Sequence, residues 1–93
     1  MYRLYTEDVN RSRIESILQS QTDGYTFVSA HRVYKGIKED TLIVELADVT
    51  HDVAARIAEM IAVANHQESV MMIWLPVETS FVTANSERFP MYE

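Results

Sequence analysis

The stretch Tyr25-Thr26-Phe27-Val28-Ser29-Ala30-His31-Arg32-Val33-Tyr34-Lys35-Gly36-Ile37-Lys38-Glu39-Asp40-Thr41-Leu42-Ile43-Val44-Glu45-Leu46-Ala47 decides the fold. Tyr25 to Lys35 is rich in aromatic and β-branched residues, which fit a pleated surface, and reads as a strand. Side chains alternate along a strand, so Phe27, Ser29, His31 and Val33 point one way, and Val28, Ala30, Arg32 and Tyr34 the other. Gly36 marks a turn, and Thr41 to Ala47 returns as a second strand with Leu42, Val44 and Leu46 on its core face. The six residues Tyr34 to Glu39 therefore join two strands and end in a carboxylate at a fixed distance from a tyrosine. In an acidic chain such a point suits a small cation.

Working outward, Tyr2 to Thr6 reads as a short strand. Asn10 suits a helix N-cap, because its side chain can accept from the first free amides, and Val9 and Ile14 suit a hydrophobic staple around it. That helix runs to about Gln21 with Ile14, Ile17 and Leu18 on one face, and Asp23-Gly24 turns the chain. Thr50 caps a second helix, Asp52 complements its dipole, and Val53, Ile57, Met60, Ile61 and Ala64 recur at helical spacing. Asn65 to Glu68 closes it. Ser69 to Val77 is nearly all apolar and predicts a long, central strand buried on both sides, with Pro76 weakening its end. Phe81-Val82-Thr83 suits a short edge strand.

The order β-α-β-β-α-β is the split, ferredoxin-like arrangement: a four-stranded antiparallel sheet with two helices on one face. Residues 1–84 make a single domain and 85–93 a C-terminal tail. On the face without helices, Val28, Ala30, Tyr34, Met72 and Trp74 need cover, which predicts self-association. A chain of 93 residues has one small core, which points the same way.

Composition narrows the functions. The net charge of −6, with only 8 Lys and Arg, lacks the basic face that nucleic-acid binding needs. There is no cysteine, hence no disulfide and no thiolate metal site. The N-terminus lacks an apolar signal region and the run Val70 to Leu75 is far too short to cross a bilayer, so a soluble cytoplasmic protein without membrane contact is expected. His31, His51 and His66 fall on three elements with no metal-ligand spacing, and such histidines are more often surface or capping residues. Ser29 and His31 share a strand face without meeting as a nucleophile pair, no Gly-x-Ser-x-Gly occurs, and neither Gly24 nor Gly36 opens a phosphate-binding helix. The methionines and strand aromatics read as core. Taken alone, Glu39 is a solvated carboxylate, Tyr34 a sheet aromatic, and Gln67-Glu68-Ser69 a solvated loop.

Three segments in order nevertheless resemble a known family, the phage-encoded S-adenosylmethionine lyases formerly called SAM hydrolases. Val9-Asn10-Arg11-Ser12-Arg13 with Ile17-Leu18 is similar to the family's Val-Asn-x-Ser-Arg helix start. Tyr34-Lys35 with Glu39 and Thr41 is similar to its Tyr-Arg…Glu-x-Thr hairpin, although the hairpin here is about six residues shorter. Ile57-Ala58 through Gln67-Glu68-Ser69-Val70 is similar to its Gln-Asp-Cys-Val entry into the last long strand. The resemblance spans residues 5–84.

The resemblance implies a trimeric, PII-like assembly with substrate at subunit interfaces. It places the essential glutamate on Glu39, which stands two residues before Thr41, rather than on the adjacent Asp40. It places substrate-binding positions on Tyr34 and Lys35. The implied reaction is attack of the substrate's own carboxylate on its γ-carbon, releasing 5′-methylthioadenosine and homoserine lactone with no cofactor, metal or covalent intermediate. Glu39 is then expected to hold the substrate ammonium, and Tyr34 to hydrogen-bond Glu39 or lie against the sulfonium. The implied role is anti-restriction, through depletion of a host's methyl donor. Two other readings stand beside it: a non-catalytic trimeric PII-like binder of adenosyl compounds or nucleotides, and a small acidic protein that blocks a host enzyme by contact.

Overall fold

The computed structural model describes residues 1–84; the expected tail over 85–93 lies outside the described residues. Six elements follow in the expected order: β1 (Tyr2–Glu7), α1 (Arg11–Gln21), β2 (Thr26–Tyr34), β3 (Ile37–Leu46), α2 (His51–Ala64) and β4 (Met71–Trp74). The sheet is antiparallel with order β2-β3-β1-β4, the ferredoxin-like α+β layout.

The central hairpin is tighter than its sequence suggested. Lys35 and Gly36 alone form the turn, with φ of 50° and 78°. Two consecutive left-handed residues are the I′ geometry whose twist matches paired strands. Pairing resumes at once, Tyr34 opposite Ile37, so β3 starts at Ile37 rather than Thr41 and Glu39 lies inside a strand.

One sheet face carries the core. Leu4, Leu42, Val44 and Leu46 are fully buried against Ile14 and Leu18 of α1 and Ile57 and Ile61 of α2. Each such side chain contributes about 1.5–3 kcal/mol by leaving water. Thr50 caps α2 as expected, its Oγ1 accepting from Val53 N at 3.3 Å, with Asp52 in the first turn.

Four local expectations need correction. Asn10 sits at the N-cap of α1 but in the left-handed region (φ 53°), and its side chain makes no capping bond. Capping needs an extended N-cap backbone; here the Asn10 carbonyl instead accepts from Arg13 N and Ile14 N. The expected strand Ser69 to Val77 shrinks to four residues at an edge, paired only with β1. One further bracing contact continues it, Met1 and Leu75 exchanging backbone bonds of 3.0 and 2.8 Å, before Pro76, which has no N–H. Phe81-Val82-Thr83 forms no strand, and Phe81 is 95% exposed. Finally, Met72 and Trp74 are not on the uncovered face. Directly opposed residues of an antiparallel pair share a face, and Met72 lies opposite Leu4, Trp74 opposite Tyr2. Met71 and Ile73 take the uncovered face instead, beside Val28, Ala30 and Ile43.

Candidate functional site

Alternation along the strands brings the site together. Tyr34 is opposite Ile37, Arg32 opposite Glu39 and Ala30 opposite Thr41, and Thr41 in turn faces Glu7 of β1. All of these side chains leave the uncovered face. All but Ala30 and Ile37 line, with Tyr5, Met71 and residues 66–69, a cavity of about 340 Å³. Tyr34 and Glu39 therefore meet one wall, and Gln67-Glu68-Ser69, 28 residues beyond Glu39 at the nearest point, meet the other.

That second wall is built by the way α2 stops. Gln67 N donates to Ala62 O at 2.9 Å and His66 N to Val63 O at 3.2 Å, a Schellman arrangement. The left-handed position of this motif normally falls to glycine; here His66 occupies it at φ 55°, at a cost of about 1 kcal/mol. The Gln67 side chain then ties the loop to β1. Its Oε1 accepts from Thr6 Oγ1 at 2.5 Å and from Asn65 Nδ2 at 2.9 Å, and its Nε2 donates to Ser69 O at 3.4 Å. The Asn65 Oδ1 is buried with no partner, among the described residues.

Glu39 is half-buried, and among the described residues its carboxylate has neither a hydrogen bond nor an ion pair. The expected Tyr34–Glu39 hydrogen bond is thus not formed. The Tyr34 ring instead has two cations near it: Arg32 Cζ lies 5.7 Å and Lys35 Nζ 5.4 Å from the ring centroid. Such exposed cation–π contacts contribute about 0.5–1 kcal/mol. Lys35 itself sits in the turn and does not line the cavity. Asp40 projects from the opposite face and pairs with His31 Nδ1 at 3.2 Å, so Glu39 and not Asp40 shares the cavity with Tyr34.

The helix-start segment lies outside this cavity. Arg11 Nη2 bonds Asp8 at 2.6 Å and Ser29 Oγ at 3.2 Å, and the Asp8 hydrogen bond raises the Arg11 guanidinium further above its ordinary range. Ser29 and His31 thus have separate partners. On the uncovered face Arg3 Nε bonds Glu45 at 2.8 Å, which likewise raises the Arg3 pKa. A larger hollow of about 820 Å³ lies at the other end of the sheet, between residues 19–26 and 47–50, but none of the three motif segments reaches it. Among the described residues no three of His, Asp and Glu converge to hold a metal ion, and no helix is long and apolar enough to cross a membrane.

Arg32 and Glu7 are charged cavity residues that the sequence did not single out, although the i, i+2 spacing of Arg32 from Tyr34 already put those two on one face. Comparison with known proteins adds no relative: no family model, curated protein or solved structure matches the chain.

Proposed function

We propose that the chain is an S-adenosylmethionine lyase, acting in the cytoplasm of a phage-infected host to deplete the methyl donor and counter restriction. The observation that carries this reading is the shared cavity. Two of the three segments on which the resemblance rests, Tyr34…Glu39-x-Thr41 and Gln67-Glu68-Ser69, line it together despite their separation in sequence.

Glu39 supplies, for the substrate ammonium, a carboxylate with no partner of its own among the described residues. Tyr34 supplies an aromatic face for the sulfonium. The substrate carboxylate oxygen attacks Cγ, the Cγ–S bond breaks with its electron pair going to sulfur, and methylthioadenosine and homoserine lactone leave. No proton has to move. Carboxylate and sulfonium charges cancel as the bond forms, so fixed protein groups in place of water favour the transition state over the ion-paired ground state. Holding the methionine part folded as a near-attack conformer lowers the barrier further.

The cavity opens on the uncovered sheet face, where Val28 is 40% and Ile37 65% exposed. We place a neighbouring copy there, in a PII-like trimer that closes the site. A second reading is non-catalytic binding of an adenosyl compound, favoured by a wall holding nothing that binding alone would not use. Incubation with S-adenosylmethionine in ¹⁸O-water followed by mass detection separates these readings. Unlabelled homoserine lactone with methylthioadenosine is the expected result. Homoserine labelled in its hydroxyl would mean hydrolysis, and intact substrate would leave the binder.

A further inference from the structure

Among the described residues three carboxylates, Glu7, Glu39 and Glu68, line the cavity, but only one permanent cation does, Arg32. Arg32 and Glu39 are direct cross-strand partners on the same face. Cβ atoms in such pairs stand about 4.5–5.5 Å apart, close enough for two long side chains to neutralise each other. They do not: among the described residues neither has an ion-pair partner, and the guanidinium lies toward the Tyr34 ring instead. Side by side on paired strands stand a carboxylate and a guanidinium, neither with an ion-pair partner among the described residues.

We infer that Arg32 and Glu39 form a two-point clamp for the zwitterionic α-amino acid end of a ligand, with Arg32 binding its carboxylate and Glu39 its ammonium. The ammonium and carboxylate of an α-amino acid are held a few ångströms apart by one carbon, a spacing that two facing side chains can bracket. The four charges then alternate in sign and sum to zero, so enclosing them costs far less than enclosing a single ion. A guanidinium is also weakly hydrated and forked, and can hold one or both oxygens of a carboxylate. Lys35, in the turn, does not line the cavity, so the clamp is drawn without it.

The inference rests on the cavity being the substrate site proposed above, and gives Arg32 a task there. By holding one carboxylate oxygen, Arg32 orients the other toward Cγ. Its contact is strongest in the ground state, where the carboxylate carries its full charge, and weakens as that charge is lost to the lactone, so its loss should raise KM without lowering kcat. The clamp also requires a carboxylate on the ligand, whatever the rest of it carries.

The probe is S-adenosylhomocysteine, which lacks the sulfonium and is not cleaved, beside its carboxamide, in which the carboxylate charge is gone. Affinities for both are measured by calorimetry on the full chain and on Arg32→Gln and Arg32→Lys. Arg32 forms no hydrogen bond among the described residues, so these variants should fold, which circular dichroism checks. The wild-type chain should prefer the acid by about tenfold to hundredfold, the range of a charge-assisted hydrogen bond. In Arg32→Gln that preference should fall to near one, and Arg32→Lys should keep part of it. An unchanged preference in Arg32→Gln, or no binding of S-adenosylhomocysteine to the wild-type chain, would overturn the clamp. Binding with the expected preference but no cleavage of S-adenosylmethionine would uphold the clamp and sink the lyase reading.

Discussion

Replacing Glu39 by glutamine removes one charge and almost nothing else. The amide has the same shape, and Glu39 makes no hydrogen bond or ion pair among the described residues whose loss could unsettle the sheet. Its stability should therefore stay within about 0.5 kcal/mol of the wild-type chain. Activity should not. A hydrogen bond to a charged group contributes about 1.5–3 kcal/mol, and two unit charges at 4 Å in the intermediate dielectric of a half-buried site about 4 kcal/mol. At 1.36 kcal/mol per factor of ten, these bounds give a drop in kcat/KM of about tenfold to a thousandfold. The assay is initial-rate formation of methylthioadenosine by chromatography and mass detection, run beside urea unfolding and sedimentation. A variant that is folded, assembled and within about twofold of wild-type kcat/KM would refute Glu39 as the ammonium site.

Further outcomes follow from the scaffold. Gln67→Ala removes the acceptor shared by Thr6 and Asn65 and should cost about 1–3 kcal/mol in urea unfolding, with KM rising as the loop wall loosens. Asn10→Gly should be neutral or stabilising, and Asn10→Ser should cost about 1 kcal/mol. A capping role would predict a neutral serine, since serine caps well. Ile43→Lys, on the uncovered face opposite Val28 and Tyr5, should leave the monomer folded and abolish assembly in light scattering after gel filtration. Persistence of the oligomer would locate the interface elsewhere.

Element order was legible because each element carries its own period and its own punctuation. Thr50, Asp52 and the spaced Val53, Ile57 and Ile61 specify α2 without reference to anything distant. Phase and pairing were harder. In Met71-Met72-Ile73-Trp74 every residue is apolar, so nothing local tells which pair faces the helices, and only the register against Leu4 decides it. Asn10 was ambiguous for a related reason. Asparagine is favoured both at N-caps and in left-handed backbone, and the Asp8–Arg11 ion pair beside it has no bearing on that choice in sequence. Of the site, Tyr34 and Glu39 stood out through the resemblance, yet Arg32 did not, because its partner depends on a turn of two residues. Read with a longer connection, Glu39 fell in a loop and faced nothing.

The two-residue turn also imposes an arithmetic of insertions on the hairpin. While the turn keeps two residues, an odd number of residues added between Gly36 and Glu39 would rotate the carboxylate to the side where Asp40 now meets His31. An even number, shared between the arms, restores Arg32 to Glu39 on the same side as Tyr34. The arms can therefore be lengthened or trimmed in steps of two with the Arg32–Glu39 pair kept, whereas a step of one breaks it.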